Sequence, residues 1–205
     1  MPRIDLNQMD HFHYDVLKEI GNIGAGNATT ALSQLIGNKL DMKVPKVELL
    51  EFNNLANMVG GAENIVVGIL LGIEGEVDGM MMFMLEQPYA HNLVNRLIGK
   101  NNDTSNEFDE MDLSALSEIG NIIAGAYLSS LATLTNMRIT SSIPYMAIDM
   151  AGAILSVPAI EFGKIGDKAL VIDTEFGDED LLVEGYFILI PSLNSYDKIL
   201  SSLGL

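Results

Sequence analysis

The sequence predicts an α/β protein with a duplicated, pseudo-twofold fold: a mostly antiparallel sheet carrying two long helices on one face. Three observations predict it. EIGNIGAG at 19–26 returns as EIGNIIAG at 118–125. Each copy sits inside a long segment whose apolar residues recur at helical spacing. Each is followed by short apolar runs bounded by turn residues, with connections too short for parallel crossovers.

The repeat extends beyond the octapeptide. Glu19, Ile20, Gly21, Asn22, Ile23, Ala25 and Gly26 map onto Glu118, Ile119, Gly120, Asn121, Ile122, Ala124 and Gly125, an offset of 99 residues. The same offset aligns Asp10 with Asp109, Leu32 with Leu131, Leu35 with Leu134 and Pro45 with Pro144. Register held over that distance indicates internal repetition. The chain, 1–205, is read as one domain of two repeats, about 10–99 and 109–205, joined by a polar linker of about 100–108.

Each half opens on a helix, about 10–37 and 109–136, with Asp10 and Asp109 as N-caps. Strands are expected at about 44–52, 64–73 and 76–86, then at about 142–150, 154–162, 168–175 and 182–190. A shorter helix closes each half after Pro88 and Pro191, with proline in or near its first turn.

Composition narrows the function. Hydrophobic residues make up 48% and charged residues 19%, which suits a well-buried globular chain. A formal net charge of −17 repels phosphate backbones and anionic lipid, so nucleic acid and membrane surfaces are poor partners. With no cysteine, disulfide and thiolate chemistry are excluded. The N-terminus has no signal-peptide pattern, and IVVGILLGI at 65–73 is half the length of a membrane span. A cytoplasmic location is expected.

A helical wheel sorts the first helix into two faces. Leu17, Ile20, Gly21, Gly24, Ala28, Ala31 and Leu35 gather on one side, and Asp15, Glu19, Asn22, Gly26, Thr30 and Ser33 on the other. The second sorts alike, with Leu116, Ile119, Gly120, Ile123, Tyr127 and Leu134 against Ser114, Glu118, Asn121, Gly125 and Ser129. Gly21, Gly24 and Gly120 on the apolar side serve close packing. Gly26 and Gly125 lie on the polar side, where glycine costs about 1 kcal/mol against alanine and gains no core contact. Their benefit is room for something large to approach the Glu–Asn pair. An asparagine amide is neither a base nor a strong nucleophile near neutral pH, but it donates and accepts at once and can hold a water in one orientation. Phosphoryl transfer, with its loose transition state, is served by such alignment. The glutamate is suited to pair with a cation on the substrate.

At these residues the chain resembles the CheC family, response-regulator phosphatases of the CheC/CheX/FliY group. The resemblance spans essentially the whole chain, and its duplicated motif D/S-x3-E-x2-N reads here as Asp15, Glu19, Asn22 and as Ser114, Glu118, Asn121. From its length the chain is expected to lack the C-terminal switch domain that FliY carries, and CheX-like relatives are shorter with one active motif. The resemblance implies that phosphorylated CheY docks on the helix face, bringing its own Mg²⁺, so that this chain needs no cofactor of its own. Asn22 or Asn121 would orient the attacking water, and Glu19 or Glu118 would pair with a CheY lysine. It also implies CheD, a receptor-modifying deamidase, as a second partner, with Ile148, Asp149 and Met150 resembling the family's CheD-docking segment. A monomer is expected, because two fused halves supply the symmetry of a homodimer.

Other motifs point to structure. His11 and His13 diverge on a helix, and with His91 they form no metal-ligand pattern. EFGDED at 175–180 lacks the EF-hand pattern and reads as a solvated hairpin loop. MMMFM at 80–84 reads as a core strand. GNIGAG falls in mid-helix, which argues against a dinucleotide fingerprint. The alternative to a phosphatase is a non-enzymatic adaptor that binds CheY-phosphate or regulates CheD. An adaptor that only binds CheY-phosphate needs no asparagine, so asparagine in both copies favours hydrolysis.

Overall fold

A computed structural model describes residues 9–37, 39, 41–100, 107–162, 168–177 and 182–204. Helix α1 (His11–Ile36) leads into β1 (Asp41–Lys43), β2 (Val47–Glu51), α2 (Phe52–Met58), β3 (Ile65–Gly75), β4 (Gly79–Glu86) and α3 (Gln87–Ile98). The remainder runs α4 (Glu110–Thr135), β5 (Ile139–Ser141), β6 (Tyr145–Met150), α5 (Ala151–Phe162), β7 (Lys168–Gly177), β8 (Leu182–Pro191) and α6 (Leu193–Ser202).

The strands form one sheet in the order β1-β7-β8-β4-β3-β5, and all pairs among the described residues are antiparallel. Strand β2 continues the edge along β7 beyond β1, and β6 continues the opposite edge along β3 beyond β5. The strands expected at about 44–52 and 142–150 correspond to β2 and β6, and β1 and β5 were not foreseen. The breaks fall at Pro45 and Pro144, which have no N–H to give to a ladder.

Alternation along the strands separates two cores. Val67, Ile69, Met81, Phe83, Leu170, Ile172 and Phe187 face α1, α3, α4 and α6, whereas Val66, Met82, Met84, Val171 and Ile188 face α2 and α5. Both long helices therefore lie on one sheet face, as the sequence predicts, and the methionine run is buried on both sides of β4. At the centre, Phe83 stacks on Phe187 at 4.6 Å, and Tyr127 of α4 lies on Phe187 at 4.4 Å.

The second face corrects the reading of 154–162, which is helix α5 and not a strand. A short apolar run is ambiguous between strand and helix. The buried residues Ala151, Ile154, Leu155 and Pro158 nevertheless follow i, i+3, i+4, i+7, the helical spacing. Helix α2 was likewise unforeseen, and Leu55 and Val59 bury it against the sheet. Pro191 ends β8, and Ser192 caps α6 by accepting from the Ser195 N–H. Of EFGDED, Glu175 and Phe176 belong to β7, and 178–180 lie outside the described residues, as do 101–106 of the expected linker.

Candidate functional site

Both long helices begin on an aspartate cap. Asp10 accepts from the Phe12 and His13 N–H groups, and Asp109 from those of Met111 and Asp112. His13 sits 2.6 Å from Asp10 and holds that carboxyl below its usual range, so this histidine closes a capping box. His91 stacks on Phe108 at 3.8 Å, just ahead of α4. Lys100 reaches Asp109 and Asp112, each at 2.7 Å, and holds Asp109 below the usual carboxylate range. The start of α4 is thereby fixed from two directions. Among the described residues, no group of three His, Cys, Asp or Glu is placed to hold a metal ion.

The helices pack on each other through Gly24. A Cβ there would lie 3.1 Å from the Tyr127 Cα, tighter than side chains ordinarily pack, so glycine lets the two helices approach without displacing either. Asn27 donates to Ser130 Oγ at 3.1 Å across the same contact. Tyr127 is buried, and burial pushes its hydroxyl up to about 12. Gly21 and Gly120 face the sheet side, near Val44 and Ile69 respectively. Leu35 and Leu134, assigned to the apolar stripe, are instead exposed in the last turns.

On the outward faces, Asp15, Glu19 and Gly26 are exposed on α1, and Ser114, Glu118, Asn121 and Gly125 on α4. A Cβ at Gly26 or Gly125 would meet nothing within 4 Å. Glutamate and asparagine three residues apart are offset by about 4.5 Å along the axis and share one face. The result is two open stripes, each presenting an acceptor carboxylate, an amide and a gap. A partly open apolar space of about 30 Å³ beneath the helices, lined by residues such as Leu17, Ile20 and Tyr127, is too small for a substrate. An open groove of about 620 Å³, lined by Gly125, Ser129, Met137 and Ile139 among others, runs beside the second stripe.

One feature of the first stripe is not legible from spacing. Asn22 is half-buried, and its Oδ1 accepts from the Val44 N–H at 3.2 Å. Lys18 donates to the Pro45 carbonyl at 2.7 Å and holds the same 44–45 segment to α1. Asn121 has no such partner among the described residues. Phe12 and Met111, exposed ahead of Asp15 and Ser114, were also overlooked, although the 99-residue offset aligns them. Ile148, Asp149 and Met150 lie elsewhere, at the end of β6, paired with Val67, Val66 and Ile65. Asp149 and Met150 are exposed there, and Ile148 is half-buried against the core.

The model of the CheC-like family matches residues 12–49, and that of the chemotaxis phosphatase CheX matches 67–161. The chain is 38% identical over 194 residues to the CheY-P phosphatase CheC of Bacillus subtilis, covering 93% of each. Among solved structures it is similar to Thermotoga maritima FliY, with a TM-score of 0.78 at 23% identity over 96% of this chain and 98% of that one. It is also similar to the FliM middle domain of H. pylori, with a TM-score of 0.66 at 12% identity over 95% and 99%. At these identities the structural likenesses show the fold.

Proposed function

Because the chain belongs to the CheC family, we propose that it is a chemotaxis phosphatase that hydrolyses the aspartyl phosphate of phosphorylated CheY. The observation that carries this reading is the pair of outward Glu–Asn stripes, exposed Glu19 with half-buried Asn22 and exposed Glu118 with exposed Asn121, each opened by a glycine whose Cβ position is empty. The identity to a CheY-P phosphatase supports the reaction class.

The regulator lays its phosphorylated face on a stripe, bringing its own Mg²⁺, which neutralises charge on the phosphoryl oxygens. Asp15 and Glu19, or Ser114 and Glu118, meet polar and cationic groups on the regulator, the glutamate pairing with a lysine. Gly26 or Gly125 lets the regulator's backbone come close. The asparagine then accepts from one water and holds its oxygen in line with the acyl phosphate. The O–P bond to water forms as the aspartyl O–P bond breaks. Aspartate leaves as carboxylate, inorganic phosphate keeps one water proton, and the other passes to solvent. The chain contributes position rather than a base, which suits a phosphoryl transfer in which the leaving group needs no acid.

Asp149 and Met150, exposed at the end of β6 with Ile148 beneath them, form a second docking surface in this reading, for the deamidase CheD. The protein acts as a cytoplasmic monomer.

The test is inorganic phosphate release from phosphorylated CheY, with the Asn22→Ala, Asn121→Ala double variant as comparison. Loss of a positioned polar group at a reacting centre costs on the order of 10²-fold, so release in the double variant falls to near the regulator's own rate. Binding of CheY to the variant persists. No acceleration by the wild-type protein overturns the assignment and leaves the stripes to an adaptor.

A further inference from the structure

We propose that Phe12 and Met111 are apolar anchors that seat the phosphorylated regulator on the two stripes, one anchor per site. The inference rests on the function proposed above and adds to it a recognition element that neither glutamate nor asparagine supplies.

Phe12 is 62% exposed and Met111 63% exposed, although each is a large apolar side chain. A single exposed hydrophobe on a soluble protein needs no explanation. Two at equivalent positions do: each is the second residue of its helix, each donates its backbone N–H to the capping aspartate, and the two are 99 residues apart. The side-chain type differs while size, apolarity and exposure are kept. Such a pattern fits a requirement imposed from outside the chain rather than a packing requirement within it.

Spacing places both on the reacting face. Residues 12, 15, 19, 22 and 26 step by 3, 4, 3, 4 along α1, and 111, 114, 118, 121 and 125 repeat those steps along α4. Side chains at those steps form one continuous stripe. From Phe12 to Asn22, or from Met111 to Asn121, the helix rises about 15 Å. A protein partner of ordinary footprint covers about 800 Å² on each side, a patch with a radius of about 16 Å, so a regulator engaging the asparagine reaches the anchor as well. The occupant thus has a stated chemistry: a protein surface bearing an apolar spot about 15 Å from its phosphoryl group, with the cation that meets Glu19 or Glu118 between them. The polar residues between anchor and amide set register, and the anchor supplies desolvated area, the division seen where apolar hot spots sit beside polar specificity contacts.

The experiment uses the full chain carrying Phe12→Ala and Met111→Ala together, with steady-state phosphate release from phosphorylated CheY, calorimetric binding of CheY and thermal unfolding measured side by side. KM is expected to rise about tenfold, equivalent to about 1.4 kcal/mol, while kcat falls less than twofold and Tm holds. The Phe12→Leu, Met111→Leu variant is expected to bring KM back within threefold of wild type. An unchanged KM and affinity in the alanine variant overturns the inference, as does a drop of several degrees in Tm without a change in KM, which would place both side chains in the protein's own packing. If the wild type binds CheY through these residues but releases no phosphate, the anchors stand and the hydrolase reading falls. If it neither binds nor hydrolyses, both fall.

Discussion

Val44 and Ile143 stand 99 residues apart and meet opposite fates: Val44 is 2% exposed and Ile143 is 90% exposed. In the first half, the segment between β1 and β2 lies against α1, where Val44 packs 3.4 Å from the Cβ position of Gly21 and its N–H reaches Asn22. In the second half, the segment between β5 and β6 is drawn to the sheet. Ser142 donates its N–H to the Gly72 carbonyl, and its hydroxyl accepts from the Gly72 N–H, both at 2.9 Å, leaving Ile143 outside. Ile69 fills the space under α4 instead, reaching 2.5 Å from the Cβ position of Gly120. Two helices with the same motif therefore rest on different supports, and the difference extends to the asparagine amide.

The largest expected effect tests those supports. Gly120→Ala forces a methyl into Ile69, a fully buried residue, and is expected to cost about 1–3 kcal/mol, the usual range for overpacking. Gly21→Ala meets Val44 at 3.4 Å and Ile172 at 3.5 Å, ordinary contacts, and alanine regains up to about 1 kcal/mol of helix propensity. For a chain of this size, thermal unfolding should show Gly120→Ala lower in Tm by several degrees and Gly21→Ala level or higher. Equal shifts in the two variants would erase the structural distinction.

The next effect is catalytic. Turning the half-buried Asn22 amide out toward a water would cost its bond to the Val44 N–H, whereas Asn121 makes no such bond among the described residues. A net hydrogen bond is worth about 1 kcal/mol, which makes the first site about fivefold slower. Phosphate release should then fall to about one-sixth in Asn121→Ala and by less than a third in Asn22→Ala, on the basis of that same estimate. A greater loss in Asn22→Ala would mean that the Val44 contact preorganises the amide instead of occupying it.

How much of this contrast was legible follows from its physical origin. The caps, both long helices, the buried methionine strand and the outward placement of Glu19, Glu118, Asn121, Gly26 and Gly125 depend on local spacing, and spacing is written in the chain. Partial burial of Asn22 is not local: it depends on a segment 22 residues later folding back on α1. Helix α5 lay within reach, because Ala151, Ile154, Leu155 and Pro158 keep helical spacing, but proline and β-branched neighbours obscured it. Phe12 and Met111 were visible as an aligned pair, yet only structure separates an exposed apolar side chain from one packed in the core.

The smallest test lies on the far side of the sheet. Strand register sets Met146 beside Ile69 and Val47 beside Ile172, so Leu70 and Asp173 occupy matching places in the two halves. Leu70 packs against the second core. Asp173 is half-buried, its Oδ1 is buried without a hydrogen bond among the described residues, and burial first, then the charge of Glu48, raises its pKa above the usual carboxylate value. Lys46 opposes that shift without cancelling it. A carboxyl whose folded pKa is raised takes up a proton more readily in the folded state, so its charged form opposes folding. That penalty is complete above the folded pKa and disappears as pH falls through it to the unfolded value of 3.8. Asp173→Asn should accordingly unfold at a slightly higher temperature than wild type at pH 7, with the gap closing as the pH approaches 4. A gap that stayed constant across that range would locate the effect in shape or hydrogen bonding, and the two halves would then differ here in packing alone.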